Sequence, residues 1–375
     1  MNKKIIGIIA LVVVALIIAG VSSKSKDNSP IKVGVSTILS GGWAAAGENM
    51  VNAAKLAVSE INSAGGINGR TIELVVEDAG FDSKTGLSAA QKLINVDKVR
   101  YIIGGTTSNG TIASAPLLNA KKVLYLTPVT GGSNVDNAGE YIFRIANSDL
   151  LAGRDIALAM KKLGFKRVGV IAETTEYTED LRNSFEKTAT EIGLNLVYSE
   201  KFQTDTTDFK TLVYKVKQAA PEAILVASQT GINGAKFIKQ AKDIGLRVTY
   251  FSDFTFVVNE DAKKIVGSFD GVYFADPAYD STSPLNEKFI NDYKSKFNIS
   301  PLIPFHAFST YDGIKMLATA IEKVGDNSER VHDWLLKNVK NYHGLMGTYS
   351  INSNGNSDLG FVIKVVKDGK LIEIK

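Results

Sequence analysis

Residues 99–111 of the chain read VRYIIGGTTSNGT. This stretch opens with the mostly apolar segment Val99–Ile103, passes through two glycines and ends in hydroxyl-bearing residues that begin a helical pattern over 108–119. A second apolar run, Val123–Leu126, follows. A strand, a glycine-rich loop, a helix and another strand in this order are typical of a parallel sheet covered by helices.

The same alternation extends outward from this unit in both directions, and it begins again after Asn147. Residues 284–340 have a mainly helical pattern, and 345–368 return to short strands. The sequence therefore predicts an α/β protein with two lobes of similar size. The predicted strands lie at 31–35, 71–77, 99–103, 123–126, 167–172, 195–198, 223–227, 248–252 and 271–275, and the predicted helices at 46–61, 83–95, 108–119, 150–163, 178–192, 209–219 and 234–244.

Residues 1–30 form a separate N-terminal segment. Lys3 and Lys4 precede an uncharged run of 17 residues, Ile5–Val21, and a polar stretch then ends at Pro30. A positive start followed by an apolar centre is typical of a secretory signal, and the apolar run is slightly short for a bilayer span. Two interpretations remain open: a cleaved signal, or an uncleaved anchor that contacts the membrane only through residues 5–21. Both place the rest of the chain outside the cytoplasm, in the periplasm or at the cell surface.

The composition, with 45% apolar and 22% charged residues, excludes a disordered or collagen-like chain. The net charge is +4, but beyond Pro30 there are 39 basic and 38 acidic side chains. Such a body lacks the concentrated basic face that nucleic acid binding requires, so nucleic acid is not a predicted partner. The absence of cysteine excludes disulfides, thiolate metal sites and cysteine nucleophiles.

Motifs of catalysis and cofactor binding are missing from the sequence. It contains no dinucleotide-binding or phosphate-binding glycine loop and no Gly-x-Ser-x-Gly nucleophile motif. The histidines are His306, His332 and His343; their spacing fits no metal site, and they are predicted to be surface or packing residues. We therefore predict no cofactor, no metal and no enzymatic activity, with catalysis by carboxylates alone as the remaining alternative.

Three polar, glycine-rich segments follow the ends of predicted strands. They are Ser40–Trp43, Gly104–Thr111 and Thr127–Ser133. Ligands of open parallel sheets bind at the carboxyl ends of the strands, and a helix start with free N–H groups and nearby hydroxyls suits a small anion such as a carboxylate. One such segment could be only a helix cap or a turn, but three on one sheet edge favour a ligand site.

With these segments, the sequence resembles the type I solute-binding proteins of the branched-chain amino acid (Leu/Ile/Val-binding) group, which serve ABC importers. The resemblance runs from Ile31 to the C-terminus, and its most specific parts are the Gly-Gly-Ile-x-Gly turn at 65–69 and the glycine-rich loops. Further matching segments are Ser40–Gly47, Ile61–Arg70, Glu77–Ala79 with Asp82, Leu126–Pro128, Tyr141–Arg144, Tyr177, Gln240–Leu246, Tyr311–Gly313 and Gly347–Tyr349.

The resemblance implies two Rossmann-like lobes with parallel sheets, joined by a three-crossover hinge, with the ligand in the cleft between them. It implies crossovers near 145–149, 276–280 and 343–347. The implied domains are the N-terminal segment 1–30, lobe 1 with 31–147 and 279–344, and lobe 2 with 148–278 and 345–375.

The resemblance also implies the residues that bind the ligand. A carboxylate would lie in lobe 1 against Ser108, its neighbour Asn109, Thr130 and Gly131. Trp43 corresponds to an aromatic residue that lines the side-chain pocket, and Tyr177 to the aromatic residue that lobe 2 closes over the ligand. A structural role remains the alternative for both aromatic side chains.

The sequence departs from the family where an acid of lobe 2 usually meets the ammonium group of an amino acid. The matching residue is Phe254, so we expect Asp253 to take this role, with Asp276 and Glu173 as alternatives. One acid must act if the ligand is zwitterionic, because an unpaired buried ammonium group is strongly destabilising. Gln229, in a second altered segment, can hydrogen-bond an amide or a hydroxyl. The expected ligand is a polar amino acid, an amide or a small carboxylate, and leucine is not established.

These features predict an exported solute receptor that closes two lobes around an amino-acid-like molecule and delivers it to the permease of an ABC importer. Two alternatives remain: a ligand-sensing module that acts through a partner protein, and a carboxylate-based enzyme on the same fold. Cytoplasmic repressors with this fold are excluded because an export signal stands where their DNA-binding helices would be.

Overall fold

The computed structural model describes residues 28–105, 107–267, 269–280 and 282–374. The predicted signal or anchor lies outside these residues, apart from 28–30. Within the described ranges, no helix combines the length and the apolar character that a bilayer span requires.

The first lobe is built on a sheet of five described strands, all parallel. Side chains of one strand alternate between its two faces: Tyr101 and Ile103 pack into one core and Ile102 into another. Helices therefore cover both faces, as the alternation of strand and helix predicts. Across the sheet, the strands are Ile72–Asp78, Ile31–Thr37, Tyr101–Gly104, Leu124–Thr127 and Ile142–Arg144. The helices of this lobe are Ala44–Ser63, Ser83–Asn95, Ser108–Ala120, Pro284–Phe297, Pro304–Val324 and Ser328–Asn338.

The second lobe is built on a sheet of seven described strands, five of them parallel. Phe361–Lys367 and Lys370–Glu373 add an antiparallel hairpin at one edge, so this sheet is mixed and not purely parallel. Asp368 and Gly369, which join the two strands, both have the positive φ that a tight hairpin turn requires. Across the sheet, the strands are Lys370–Glu373, Phe361–Lys367, Tyr273–Pro277, Thr249–Asp253, Ala223–Ala227, Arg167–Glu173 and Asn195–Phe202. The helices are Asp149–Lys162, Glu176–Glu191, Lys210–Ala219, Ile232–Asp243, Thr255–Val258 and Glu260–Val266.

The chain passes between the two sheets at 145–148, after Pro277 and at 359–361. The third passage lies later in the chain than the crossover expected at 343–347, because Leu345 and Leu359 both pack in the core of the first lobe. The physical reason is edge pairing. Arg144 donates its N–H to the Gly355 carbonyl at 3.0 Å and accepts from the N–H of Ser357 at 2.8 Å, which holds this segment against the first sheet. Residues 345–359 thus pack with lobe 1, and lobe 2 resumes near Phe361.

Gly47 fixes the position of the loop that follows the strand Ile31–Thr37. It lies in the first helix, where a Cβ atom would be 1.7 Å from the carbonyl oxygen of Ile38. Only glycine allows this approach, which explains its place in the segment Ser40–Gly47. Ile38 in turn faces the space between the lobes.

We predict that Gly47→Ala lowers the free energy of unfolding by about 2 kcal/mol, because the added methyl group must displace backbone atoms. Urea unfolding followed by circular dichroism measures the change. Gly42→Ala is the matched control, since a Cβ there meets no atom within 4 Å. Equal midpoints for the two variants would contradict the packing described for Gly47.

Candidate ligand-binding site

A cavity lies between the lobes at the hinge, with about 680 Å³ of empty space, part of it open to solvent. Residues of both lobes and of all three passages line it, and most follow the carboxyl ends of strands, where ligands of such sheets bind. From lobe 1 the lining residues are Ile38, Trp43, Phe81, Thr107, Ser108, Pro128, Val129, Thr130, Gly131, Phe305 and His306; from lobe 2, Asp149, Tyr177, Gln229, Phe254 and Thr255; from the passages, Ala146, Asn147, Pro277 and Phe361.

The structure places six of the eight predicted site residues on this cavity: Trp43, Ser108, Thr130, Gly131, Tyr177 and Gln229. It does not place Asn109 or Asp253 there. Asn109 is exposed, because it follows Ser108 by one position on a helix and therefore points in another direction.

Ser108 is the first residue of its helix and is buried. The capping role falls to Thr107, whose hydroxyl accepts the N–H of Gly110 at 3.2 Å. Ser108 Oγ is directed at Gly132, where a Cβ atom would lie only 2.5 Å away. Thr107 and Ser108 both line the cavity, so the helix begins at the cavity wall, a position that suits a carboxylate.

The hydroxyl of Thr130 is used inside the protein. It donates to the Gly105 carbonyl at 2.6 Å and lies 3.3 Å from the hydroxyl of Thr111. The Thr130 N–H is bonded to the hydroxyl of Thr127 at 3.1 Å. Thr130 therefore shapes the loop after the fourth strand, and its hydrogen bonds hold Gly131 in position beside the cavity.

The three acids expected to meet an ammonium group do not line the cavity. Asp253 is fully buried behind the cavity wall, where one oxygen accepts the N–H of Thr255 at 2.7 Å. Burial raises its pKa to about 6, although hydrogen bonds from Thr255 and Tyr177 oppose this effect. Asp276 pairs with Lys364. Phe254, the residue after Asp253, reaches the cavity instead.

Glu173, the remaining candidate, has both carboxylate oxygens engaged. They accept from the hydroxyl of Ser228 at 2.9 Å, the N–H of Gln229 at 2.9 Å and the side-chain amide of Asn233 at 3.0 Å. Glu173 therefore holds the loop that carries Gln229 into the cavity, and it contacts the ligand space only through that loop.

The acid that does line the cavity is Asp149, which we did not predict from the sequence. It begins the helix Asp149–Lys162, and its N–H donates to the Gly131 carbonyl at 2.8 Å. A Cβ atom on Gly131 would lie 2.2 Å from Asp149 Oδ1, so the carboxyl group rests directly on the glycine. Oδ2 is buried without a hydrogen-bond partner. The only sequence signal is an acid at the start of the first helix after a crossover.

The charge of Asp149 is poorly compensated by its surroundings. Burial raises the pKa of its carboxyl group well above the usual value, and Arg144 opposes this only in part. Arg144 is itself engaged, because it donates to Asp136 at 2.7 Å and to the Ala146 carbonyl at 2.7 Å. Asp180 and Asp253 add to the negative potential around Asp149. A cation close to Asp149 would therefore favour the ionised form of its carboxyl group.

His306, predicted to be a surface or packing residue, is buried and lines the cavity. It stands beside Phe305 and Phe254, with ring centroids 4.4 and 6.1 Å away. The sequence offers no signal for this position, because His306 lies in the first turn of a helix that begins at Pro304, far along the chain from the glycine-rich loops.

The lobes contact each other beside the cavity. The carboxylate of Asp180 accepts the N–H and the hydroxyl of Ser133 at 2.6 and 2.8 Å, and Asn134 donates to Glu176. On another side, Phe254 of lobe 2 packs edge to face on Phe305 of lobe 1, with centroids 4.7 Å apart. The cleft is therefore closed around the cavity.

The chemistry of this cavity is that of binding. It offers a helix start with a hydroxyl, one buried acid and an aromatic wall. Within the described residues, no group of three or more potential metal-ligating side chains is arranged to hold a metal ion.

Known proteins show similarity to the chain over most of its length. The Leu-, Ile-, Val-, Thr- and Ala-binding protein of Pseudomonas aeruginosa is 27% identical over 332 residues, which cover 87% of each chain. The Leu/Ile/Val-binding protein of Escherichia coli is 26% identical over 302 residues, covering 80% of this chain and 81% of its own length.

Solved structures agree with the fold. The leucine-binding protein LivK of Thermotoga maritima superposes with a TM-score of 0.83 at 25% identity, covering 92% of this chain and 98% of that one. LivJ of Streptococcus pneumoniae, solved with isoleucine, gives 0.80 at 25% identity, covering 92% and 100%. The sequence pattern of the family described as periplasmic binding protein matches residues 30–370. With two α/β lobes, a three-passage hinge and a cavity between them, the chain belongs to the periplasmic binding protein family.

Proposed function

We propose that the protein is the solute-binding component of an ABC importer and that it holds an amino acid, or a related small carboxylate or amide, between its lobes outside the cytoplasm. Its family membership and the amino-acid-binding relatives support this proposal. No bond in the ligand is made or broken. The closed protein would present its ligand to the permease, which opens the lobes and accepts the solute.

The observation that carries the proposal is the pair of opposite binding groups on one cavity. Ser108 and the start of its helix offer hydrogen-bond donors to a carboxylate. Asp149, held against Gly131, offers an unpaired carboxylate oxygen to an ammonium group. An α-amino acid carries both groups on neighbouring atoms, so its head group matches the hydrogen-bond donors and the carboxylate that the cavity supplies.

Closure of the two lobes follows from the same contacts between the ligand head group and the cavity. The carboxylate site belongs to lobe 1 and Asp149 to lobe 2, so a bound head group would contact both lobes at once. A ligand that contacts both lobes stabilises the closed form relative to the open one, which shifts the population of the protein.

We predict that a thermal-shift screen of the protein against the twenty amino acids, small amides and short carboxylates finds a stabilising ligand, because a ligand that binds only the folded state raises its melting temperature.

Ser108→Ala should weaken the binding of that ligand about tenfold or more, equivalent to about 1.4 kcal/mol. Asn109→Ala is the matched control: it changes the adjacent residue, which is exposed and outside the cavity. No shift with any compound, or equal losses in both variants, would contradict the proposal.

We predict that the affinity for an amino acid rises with pH. Burial raises the pKa of Asp149, so this carboxyl group is protonated at low pH and becomes able to pair with an ammonium group as the pH rises through that value. Calorimetry at a series of pH values, from the ordinary carboxyl range upward, measures the trend. Asp149→Asn should weaken binding and flatten the profile. The affinity for a ligand that lacks the amino group should fall as the pH rises. A pH profile that is unchanged in Asp149→Asn would assign the pairing with the ammonium group to another acid.

A further inference from the structure

Two side chains on the cavity have buried polar atoms that the amino-acid head group does not account for. Trp43 Nε1 has no hydrogen-bond partner, and neither have the two ring nitrogens of His306. Both residues line the cavity, and His306 is only 1% exposed. A buried donor or acceptor without a partner is destabilising by about 1–3 kcal/mol, so a ligand group that paired with these atoms would remove that penalty.

The surroundings of these atoms are aromatic. His306 lies against Phe305 and Phe254, and Trp43 packs edge to face on Phe81 with centroids 6.1 Å apart. Burial lowers the pKa of His306 to about 3, so the ring is neutral and carries one N–H donor and one acceptor nitrogen. The indole of Trp43 adds a second donor. The wall therefore combines two donors and one acceptor with an apolar surface.

The alternative role for such a histidine is simple packing. Packing explains the ring contacts with Phe305 and Phe254, but it leaves both nitrogens unpaired. His306 accepts a hydrogen bond from the hydroxyl of Thr310 at 2.7 Å, but it does so through its backbone carbonyl and not through a ring nitrogen. A phenylalanine would pack as well without the loss of two hydrogen bonds, so packing alone does not account for the residue.

We propose that Trp43 and His306 recognise a hydroxyl or primary amide group at the end of the ligand's side chain. This inference rests on the proposed function, which supplies the head group at Ser108 and Asp149. A hydroxyl or an amide both donates and accepts, so it matches either side chain: its oxygen can accept from the indole N–H, and its hydrogen can be donated to the acceptor nitrogen of the imidazole. An aliphatic side chain would leave all three atoms unpaired, and an ionised one would lose its hydration among aromatic rings.

The test compares amino acids in pairs of similar shape, one polar and one apolar: threonine with valine, tyrosine with phenylalanine, and glutamine with methionine. Calorimetry on the protein should show that the polar member of the pair that fits best binds tighter by about tenfold or more. His306→Phe keeps a ring of similar size and removes both nitrogens, so it should reduce that preference about tenfold. Trp43→Phe should also reduce the preference for the polar member of the pair.

Two further variants separate recognition from folding. Phe305→Leu, beside His306, should change the affinity of both members of a pair alike, because this residue offers no polar group. His306→Gln keeps a donor and an acceptor, so it should retain the preference even where His306→Phe fails to fold.

The outcomes distinguish this inference from the proposed function. If amino acids bind tightly, but the affinity for the apolar member of every pair equals or exceeds the affinity for the polar member, the inference is overturned and the proposed function stands. Binding of none of these compounds, nor of any small amide or carboxylate, would remove both. A polar preference that persists in His306→Phe and Trp43→Phe would assign the recognition to other residues and overturn the inference.

Discussion

The carboxylate of Asp149 is buried between the two lobes with one oxygen unpaired, and the proposed binding site is organised around that charge. A buried carboxylate without a full set of partners is destabilising, and Arg144 is already bound by Asp136. In the proposed function, the ammonium group of the ligand supplies the missing cation. Gly131 is part of the same arrangement, because any side chain there would displace the acid. The free energy lost by burying the unpaired carboxylate in the empty site would then contribute to ligand affinity.

The same constraint explains why the ligand and the closed form belong together. Among the described residues, the lobes contact each other through Asp180 on Ser133, Asn134 on Glu176, the Asp149 N–H on the Gly131 carbonyl, and Phe254 on Phe305. Ligand contacts to both sides can therefore decide the balance between open and closed forms, which is the behaviour that a transport receptor requires.

The sequence predicts most of the fold because strand and helix periodicities are local properties. The helix Ser83–Asn95 has its predicted bounds, whereas the three-residue strand Ile142–Arg144 is too short to leave a pattern. The site is only partly predictable. Glycine-rich loops indicate Ser108, but one helical position, about 100° of rotation, removes Asn109 from the cavity. Asp149 depends on the packing of one lobe against the other, which no local pattern contains.

The central claim is that an amino-acid head group lies between Ser108 and Asp149 in the closed cleft. A crystal structure of the protein with the stabilising ligand tests it most directly. We expect the ligand carboxylate at Ser108 Oγ and the N–H groups that begin its helix, with the ammonium group about 3 Å from Asp149 Oδ2. A ligand bound outside the cleft, or an ammonium group paired with Asp253 while Asp149 turns away, would contradict the account.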